Sequence, residues 1–135
     1  MSRRQTRSEA RECAFSLVFQ LGTDIDTEFI IEQLTEEKPE SITNIEYIKT
    51  VFLGVTDKLL EIDEKISAAL PSNRGISRLS KVVLAVLRVA VYEMFYVDDV
   101  PHKVAINEAV ELAKKYAEDD APSFVNGVLS GVIPK

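Results

Sequence analysis

Four side chains near the start of the chain combine positive charge with aromatic rings at helical spacing. Arg7, Arg11, Phe15 and Phe19 follow one another at intervals of four residues, which places them along one side of a helix. Arginine neutralises phosphates, and an aromatic ring stacks on a base or fills a partner's pocket. The pattern is compatible with a site for a single nucleic-acid strand or for a protein. The alternative is structural, with the rings packed under a second layer of helices and the arginines solvated.

The residues that most often carry catalysis are scarce. His102 is the only histidine and Cys13 the only cysteine, so a zinc site, a Cys-His pair or a Ser-His system cannot be assembled. No glycine-rich phosphate loop is present. The remaining candidates are clusters of carboxylates, at Glu36 and Glu37, at Glu61, Asp63 and Glu64, and at Glu118, Asp119 and Asp120. Their polar neighbours indicate solvated turns, so we expect no enzyme activity, no metal and no cofactor.

The first helix has clear signals at both ends. Thr6 and Glu9 have the spacing of a capping box, and Gly22 is a candidate stop. Between them the apolar positions form one stripe: Ala10, Cys13, Ala14, Leu17, Val18 and Leu21. This spacing predicts a helix with one face in the core.

The middle of the chain predicts scaffold helices. A long helical pattern runs from Ile42 to Leu70, with Gly54 as a candidate bend, and Pro71–Gly75 then interrupts it. The segment from Val82 to Val97 is apolar on nearly all sides, which predicts the central helix. Arg88 stands alone within that segment, and we expect it to pair with a carboxylate such as Glu93.

The last third contains two further helix patterns. Pro101 suits a helix start, with His102 beside it on the surface, and the next helix begins near Asp120. Gly127 and Gly131 lie in the middle of that last helix, where glycine costs about 1 kcal/mol relative to alanine. We therefore expect something to approach the backbone closely there.

Together these signals predict an all-α protein of six or seven helices in two small lobes. The Pro71–Gly75 break suggests an N-terminal lobe of about residues 1–70 and a C-terminal lobe of about residues 76–135, within a single domain of 135 residues. No pair of strands and no internal repeat is visible in the sequence.

Charge and hydropathy limit the classes of function. The net charge is −6, but residues 1–11 carry +3, which leaves −9 on the other 124 residues. Any contact with nucleic acid must therefore be local. The basic start lacks the apolar core of a secretory signal, and no apolar run approaches the roughly 18 residues that span a bilayer. We expect a cytoplasmic protein with no membrane partner.

Three stretches resemble the bacterial transcription antitermination factor NusB. They read RLSKVVLAVLRVAVYEM at 78–94, PHKVAINEAVELAKKYAEDDAPSFVNGVL at 101–129, and an arginine-rich start around Arg7–Ala14. The likeness covers almost the whole chain in the right order. It implies a NusB-like helical bundle and a protein that binds boxA RNA together with NusE, a small-subunit ribosomal protein. Such factors join the RNA polymerase elongation complex with other Nus factors and suppress termination, notably on ribosomal RNA operons.

The resemblance also implies site residues. Positions that match the family's RNA-contacting region are Arg4, Arg7, Arg11, Arg74, Arg78, Tyr116, Asp120 and Phe124. Positions that match its NusE-facing surface are Phe19, Val83 and Arg88. Family members often have an acid near the start of the central helix, where this chain has Val83 and Leu84, and this departure bears on the partner surface.

Two hypotheses remain open from the sequence. One is an RNA-binding antitermination factor, and the other is a helical protein-protein adaptor without direct RNA contact. NusB-like domains also occur attached to RNA cytosine methyltransferases; because the sequence ends at Lys135, we expect a stand-alone factor. Both a monomer and a homodimer are compatible with the pattern.

Overall fold

Six α-helices and one turn of 3₁₀ helix make up the regular structure of the described residues. The computed structural model describes residues 6–21, 29, 32, 45–72 and 75–133. The helices are α1 (Arg7–Phe19), α2 (Ile45–Asp57), α3 (Leu59–Ala69), α4 (Lys81–Tyr96), α5 (His102–Tyr116) and α6 (Ala121–Val132), with the 3₁₀ turn at Ile76–Arg78 before α4. No strand occurs in these ranges. The predicted all-α class is confirmed.

Helix α1 begins with the predicted capping box. The Glu9 backbone N–H donates to the Thr6 hydroxyl at 3.1 Å, and the Thr6 backbone N–H donates to the Glu9 carboxylate at 3.2 Å. The helix ends at Phe19, and the predicted stop at Gly22 lies outside the described residues. The predicted stripe faces the core: Ala10, Ala14, Leu17 and Val18 are buried, and Cys13 and Leu21 pack against them.

The predicted long helix from Ile42 to Leu70 is wrong as a single element. The chain turns at Lys58, between α2 and α3, and the predicted bend at Gly54 lies inside α2. Gly54 has a packing role instead, because a Cβ there would overlap the Tyr92 ring, at 2.1 Å from its nearest carbon. The missing side chain therefore lets the ring of α4 rest against the backbone of α2.

Helix α4 is the centre of the fold, as its apolar sequence predicts. Its start is capped by Ser80, whose hydroxyl accepts a hydrogen bond from the Val83 backbone N–H at 3.2 Å. Every other α-helix packs against it, and α6 also packs on α3 and α5. Ten of its sixteen residues are buried, so this helix supplies the middle of one continuous core.

Two expectations about the last third of the chain concern His102 and the glycines of the last helix. His102 is half-buried rather than free on the surface, and its Nε2 lies 3.1 Å from the Met94 carbonyl oxygen of α4. A Cβ added to Gly127 would have no described atom within 4 Å, and one added to Gly131 would meet only the Ala69 Cβ at 3.6 Å. The described chain therefore leaves Gly127 open and meets Gly131 only at ordinary contact distance. Approach to this face by a nucleic acid or another helix stays a prediction.

The division into two lobes remains a prediction. Helix α3 belongs to the predicted N-terminal lobe, but it packs on α4 and α6, which belong to the other. Among the described residues, no helix is both long and apolar enough to cross a membrane.

Two glycine substitutions test this packing. Gly54→Ala should lower the free energy of unfolding by about 1–3 kcal/mol, because the new methyl group overlaps the buried Tyr92 ring. Gly127→Ala is the matched control in a helix and should raise stability by up to about 1 kcal/mol, because alanine has the higher helix propensity and its methyl group would meet no described atom. Urea denaturation followed by circular dichroism measures both, and equal effects would contradict the assigned contact.

Candidate nucleic-acid interface

A buried ion pair joins the arginine-rich helix to the centre of the fold. The Arg11 Nε of α1 donates to both carboxylate oxygens of Glu93 on α4, at 2.9 and 2.8 Å. The exposed fractions of the two side chains are 6% and 1%. The Tyr47 hydroxyl of α2 donates to the same carboxylate, and Arg11 also lies 3.5 Å from the Glu108 carboxylate of α5. One cluster therefore links four helices.

The electrostatics of this cluster favour the charged form of Arg11. Burial on its own lowers the pKa of Arg11, but the hydrogen bond and the charge of Glu93 outweigh burial, and the pKa is raised. Burial, followed by the charge of Glu93, raises the pKa of Tyr47 above its ordinary range. Arg11 is thus held by a buried carboxylate and is not available to a phosphate unless that pair breaks.

Arg7 differs from Arg11 although it is only one turn away. Its side chain is exposed, and its guanidinium carbon lies 4.0 Å from the centre of the Tyr47 ring. Because the Tyr47 hydroxyl is held by Glu93, this ring is a fixed platform. Within the described part of the chain no carboxylate forms an ion pair with Arg7, so its charge is presented to solvent.

The two phenylalanines of the predicted basic-aromatic pattern also differ. Phe15 is buried, with 5% of its surface exposed, and its ring centre lies 5.3 Å from that of Tyr116 and 6.4 Å from that of Phe19. Phe19 retains 40% exposure. The continuous exposed pattern expected from Arg7 to Phe19 is therefore interrupted at Arg11 and Phe15, because both face the helices packed against α1.

Five of the predicted site residues meet in one groove. The groove has a volume of about 1010 Å³ and lies between the 3₁₀ turn, the start of α4 and the junction of α5 with α6. Its walls include Arg78, Val83, Tyr116, Asp120 and Phe124. With Glu118, which also lines it, the groove combines a cation, two carboxylates and two aromatic rings. The five predicted residues are up to 46 positions apart in the sequence.

This groove has the chemistry of a single-strand binding site. Arg78 is exposed, and no described carboxylate forms an ion pair with it, so it is available for a phosphate. Tyr116 is 44% exposed and offers a ring for base stacking, while Asp120 offers a hydrogen-bond acceptor for a base edge. No metal-binding cluster of His, Cys, Asp or Glu occurs among residues 6–21, 29, 32, 45–72 and 75–133.

Glu12 makes contacts that the sequence did not reveal. Its carboxylate accepts hydrogen bonds from the Lys115 ammonium at 2.6 Å and from the Tyr116 hydroxyl. These contacts span 103 and 104 positions, so no local spacing signals them. They connect α1 to the edge of the groove, and the bond to Lys115, followed by that to Tyr116, lowers the pKa of Glu12.

Of the predicted partner residues, Arg88 and Val83 are both in contact with other parts of the fold. Arg88 does form an ion pair, but its partner is Asp63 at 2.8 Å rather than the predicted Glu93, which Arg11 already occupies. Val83 is buried at 9% exposure on the wall of the groove. Arg4 and Arg74 lie outside the described residues.

The buried pair leads to a stability prediction. Arg11→Ala should lower the free energy of unfolding by about 3–5 kcal/mol, because it leaves the Glu93 carboxylate buried without its cation. Arg7→Ala, one turn earlier, should cost less than about 1 kcal/mol, since it removes an exposed cation-ring contact. Urea denaturation distinguishes them, and a fully tolerated Arg11→Ala would contradict the structural assignment of this arginine.

Comparison with known proteins agrees with the fold along nearly the whole chain. The NusB family model matches residues 8–134. The transcription antitermination protein NusB of Clostridium novyi is 41% identical over 132 residues, covering 94% of this chain and 97% of that protein. The NusB protein of Clostridium botulinum strain Alaska E43 is also 41% identical, with full coverage of both chains.

Solved structures give the same result. T. maritima NusB superposes with a TM-score of 0.84 at 33% identity, covering 96% of this chain and 92% of that one. A chain from a crystal structure of the antitermination factors NusB and NusE in complex with double-stranded RNA superposes with a TM-score of 0.80 at 30% identity, covering 93% and 94%. On the strength of this match in sequence and fold along nearly its whole length, the chain belongs to the NusB family.

Proposed function

We propose that this protein is a transcription antitermination factor that binds boxA-type RNA together with NusE and modifies termination by RNA polymerase, notably on ribosomal RNA operons. The NusB relatives at about 40% identity carry the antitermination description. The similar crystal structure that contains NusB, NusE and double-stranded RNA supports the two partners. Membership of the elongation complex with other Nus factors follows from the same family relationship.

The single observation that carries RNA binding is the groove lined by Arg78, Tyr116, Asp120 and Phe124. It provides a phosphate contact, two stacking rings and an acceptor within one concave surface. Arg7 extends this surface, because it lies on α1 about 12 Å along the helix axis before Phe15, which contacts Tyr116. We propose these five residues as direct RNA contacts and Arg11 as the residue that fixes the helix carrying Arg7.

NusE recognition is proposed for the neighbouring surface around Phe19, Val83 and Arg88. Of these, Phe19 is the most exposed, Val83 is buried, and Arg88 is held by Asp63. Phe19 is therefore the side chain that a protein partner can reach without rearrangement. The Phe19 ring packs beside Phe15, and Phe15 in turn contacts Tyr116 of the groove. The partner surface and the RNA groove are therefore connected through Phe15.

The mode of action that fits these surfaces is binding rather than catalysis. We propose a protein that works in the cytoplasm, where RNA polymerase and the ribosomal protein meet the transcript, as a monomer or a homodimer. Arg4 and Arg74 belong to the proposed RNA-contacting set through the family match. An adaptor that touches NusE but not RNA is the competing function, and the next experiment distinguishes it.

Replacing the two free arginines tests direct RNA contact. Arg7→Ala and Arg78→Ala should each weaken binding to a boxA RNA oligonucleotide and reduce the slope of log K against log salt by about 0.7, the value for one lost phosphate contact on a single strand. Fluorescence anisotropy at several salt concentrations measures the slope. Lys103→Ala is a matched control, because Lys103 is exposed about 20 Å from Tyr116 along α5. Unchanged slopes for both arginine variants would favour the adaptor.

NusE should raise the affinity for RNA, since the protein itself is acidic overall, with a net charge of −6. We expect weaker boxA binding by the protein alone than by an equimolar mixture with NusE, measured in the same anisotropy assay. Equal affinities would contradict a shared RNA surface.

Phe19→Ala tests the partner surface. The variant should keep the fold, because this ring is 40% exposed, but should bind NusE at least several-fold more weakly. Isothermal titration calorimetry with NusE measures the change. Leu53→Ala is the control, since Leu53 is 53% exposed on α2. A loss of folding in Phe19→Ala, or an equal loss of NusE binding in the control, would contradict the assignment.

A further inference from the structure

We propose that Glu12 is a specificity-determining residue that withholds the positive charge of Lys115 from RNA and leaves Tyr116 as a neutral stacking surface at the edge of the groove. The inference rests on the proposed RNA-binding function and adds to it a residue that limits binding. It concerns the contact between α1 and the end of α5, on the side of the molecule where the groove opens.

The geometry places one carboxylate against two donors. The Lys115 ammonium lies 2.6 Å from a Glu12 oxygen, and the Tyr116 hydroxyl donates to the same oxygen. The Tyr116 ring is also supported by Phe15, at 5.3 Å between ring centres. Glu12 is therefore held in place by two donors, and Tyr116 cannot turn without breaking one of these contacts.

The charge of this cluster is balanced. Lys115 alone would add a cation next to the groove, but with Glu12 in contact the pair presents no net charge to an approaching phosphate. The exposed fractions, 60% for Lys115 and 27% for Glu12, leave both charges near solvent where RNA would pass. Even a weak ion pair is sufficient, because a phosphate drawn to Lys115 also meets the negative charge of Glu12.

The neighbouring lysine shows the same arrangement. Lys114 lies 3.2 Å from the Glu111 carboxylate, so both cations at the end of α5 are balanced by acids. Arg78, across the groove, has no ion-pair partner among the described residues. Attraction for phosphates is thus shifted to Arg78 and the exposed Lys81, which form no ion pair with a described carboxylate, while the Tyr116 side depends on stacking. This arrangement favours an RNA whose bases fit the groove over one that offers only its backbone.

A double-mutant cycle in the full chain tests the proposal. The variants are Glu12→Gln, Lys115→Gln and the double variant, each titrated with a boxA RNA oligonucleotide and with a scrambled RNA of the same composition. Glu12→Gln keeps the shape and a hydrogen-bond acceptor but removes the charge. It should steepen the salt slope by about 0.7 and raise the affinity for scrambled RNA more than that for boxA RNA.

Lys115→Gln alone leaves the Glu12 charge unbalanced and should weaken the binding of both RNAs. In the Glu12→Gln background it should return the slope to the original value, because a neutral pair presents the same net charge as the ion pair. This exposed substitution keeps the test decisive even where Glu12→Gln reduces stability, which thermal denaturation measures separately. If Glu12 only holds α1 against α5, Glu12→Gln should change the melting temperature without changing the salt slope of RNA binding.

The outcomes separate this inference from the proposed function. If RNA binding by the original protein depends on salt but the slope does not change in Glu12→Gln, or if Lys115→Gln does not reverse the steeper slope of Glu12→Gln, the role proposed for Glu12 is overturned while the proposed function stands. An original protein with no salt-dependent RNA binding overturns the proposed function and this inference with it. A steeper slope in Glu12→Gln that Lys115→Gln reverses supports both.

Discussion

The contact on which the rest of this structure depends is the buried pair of Arg11 and Glu93. A charge that is removed from water must be matched closely, and here one carboxylate accepts from Arg11 twice and from Tyr47 once. This requirement fixes the position of α1 against α2 and α4. It thereby sets the platform under Arg7 and brings Phe15 against Tyr116. The surface proposed to meet RNA is held in shape by a buried pair, which we propose stays out of contact with RNA.

The same principle explains how an acidic protein can present a nucleic-acid surface. Arg11 forms an ion pair with Glu93, Arg88 with Asp63 and Lys115 with Glu12. The charges of these three cations are therefore balanced within the protein. Arg7 and Arg78 form no ion pair with a described carboxylate; Arg7 lies over the Tyr47 ring, and Arg78 lines the same groove as Tyr116 and Phe124. Few free cations beside stacking surfaces give modest, salt-sensitive affinity in which the fit of the bases matters. A protein partner that adds RNA contacts would raise this modest affinity.

Sequence reasoning succeeds where signals are local or periodic. The capping box at Thr6, the apolar central helix and the all-α class follow from spacings within one or two turns, and the structure confirms them. It fails where the answer depends on distant partners. Arg11 and Arg7 look alike in sequence, but only Arg11 faces Glu93, 82 positions away. Glu93 is close to Arg88 in sequence, whereas Asp63 on α3 lies beside Arg88 in space. The family resemblance indicates the groove residues, but only the fold brings them together.

The central claim is that Arg7 and Arg78 meet RNA while Arg11 stays on Glu93. Nuclear magnetic resonance of the arginine Nε–H groups tests this directly, because each arginine gives its own side-chain signal during a titration with boxA RNA. We expect the signals of Arg7 and Arg78 to shift with RNA concentration while that of Arg11 keeps its position and its slow exchange with solvent. A shift of the Arg11 signal comparable with those of the other two, or no shift at Arg7 and Arg78, would contradict this claim.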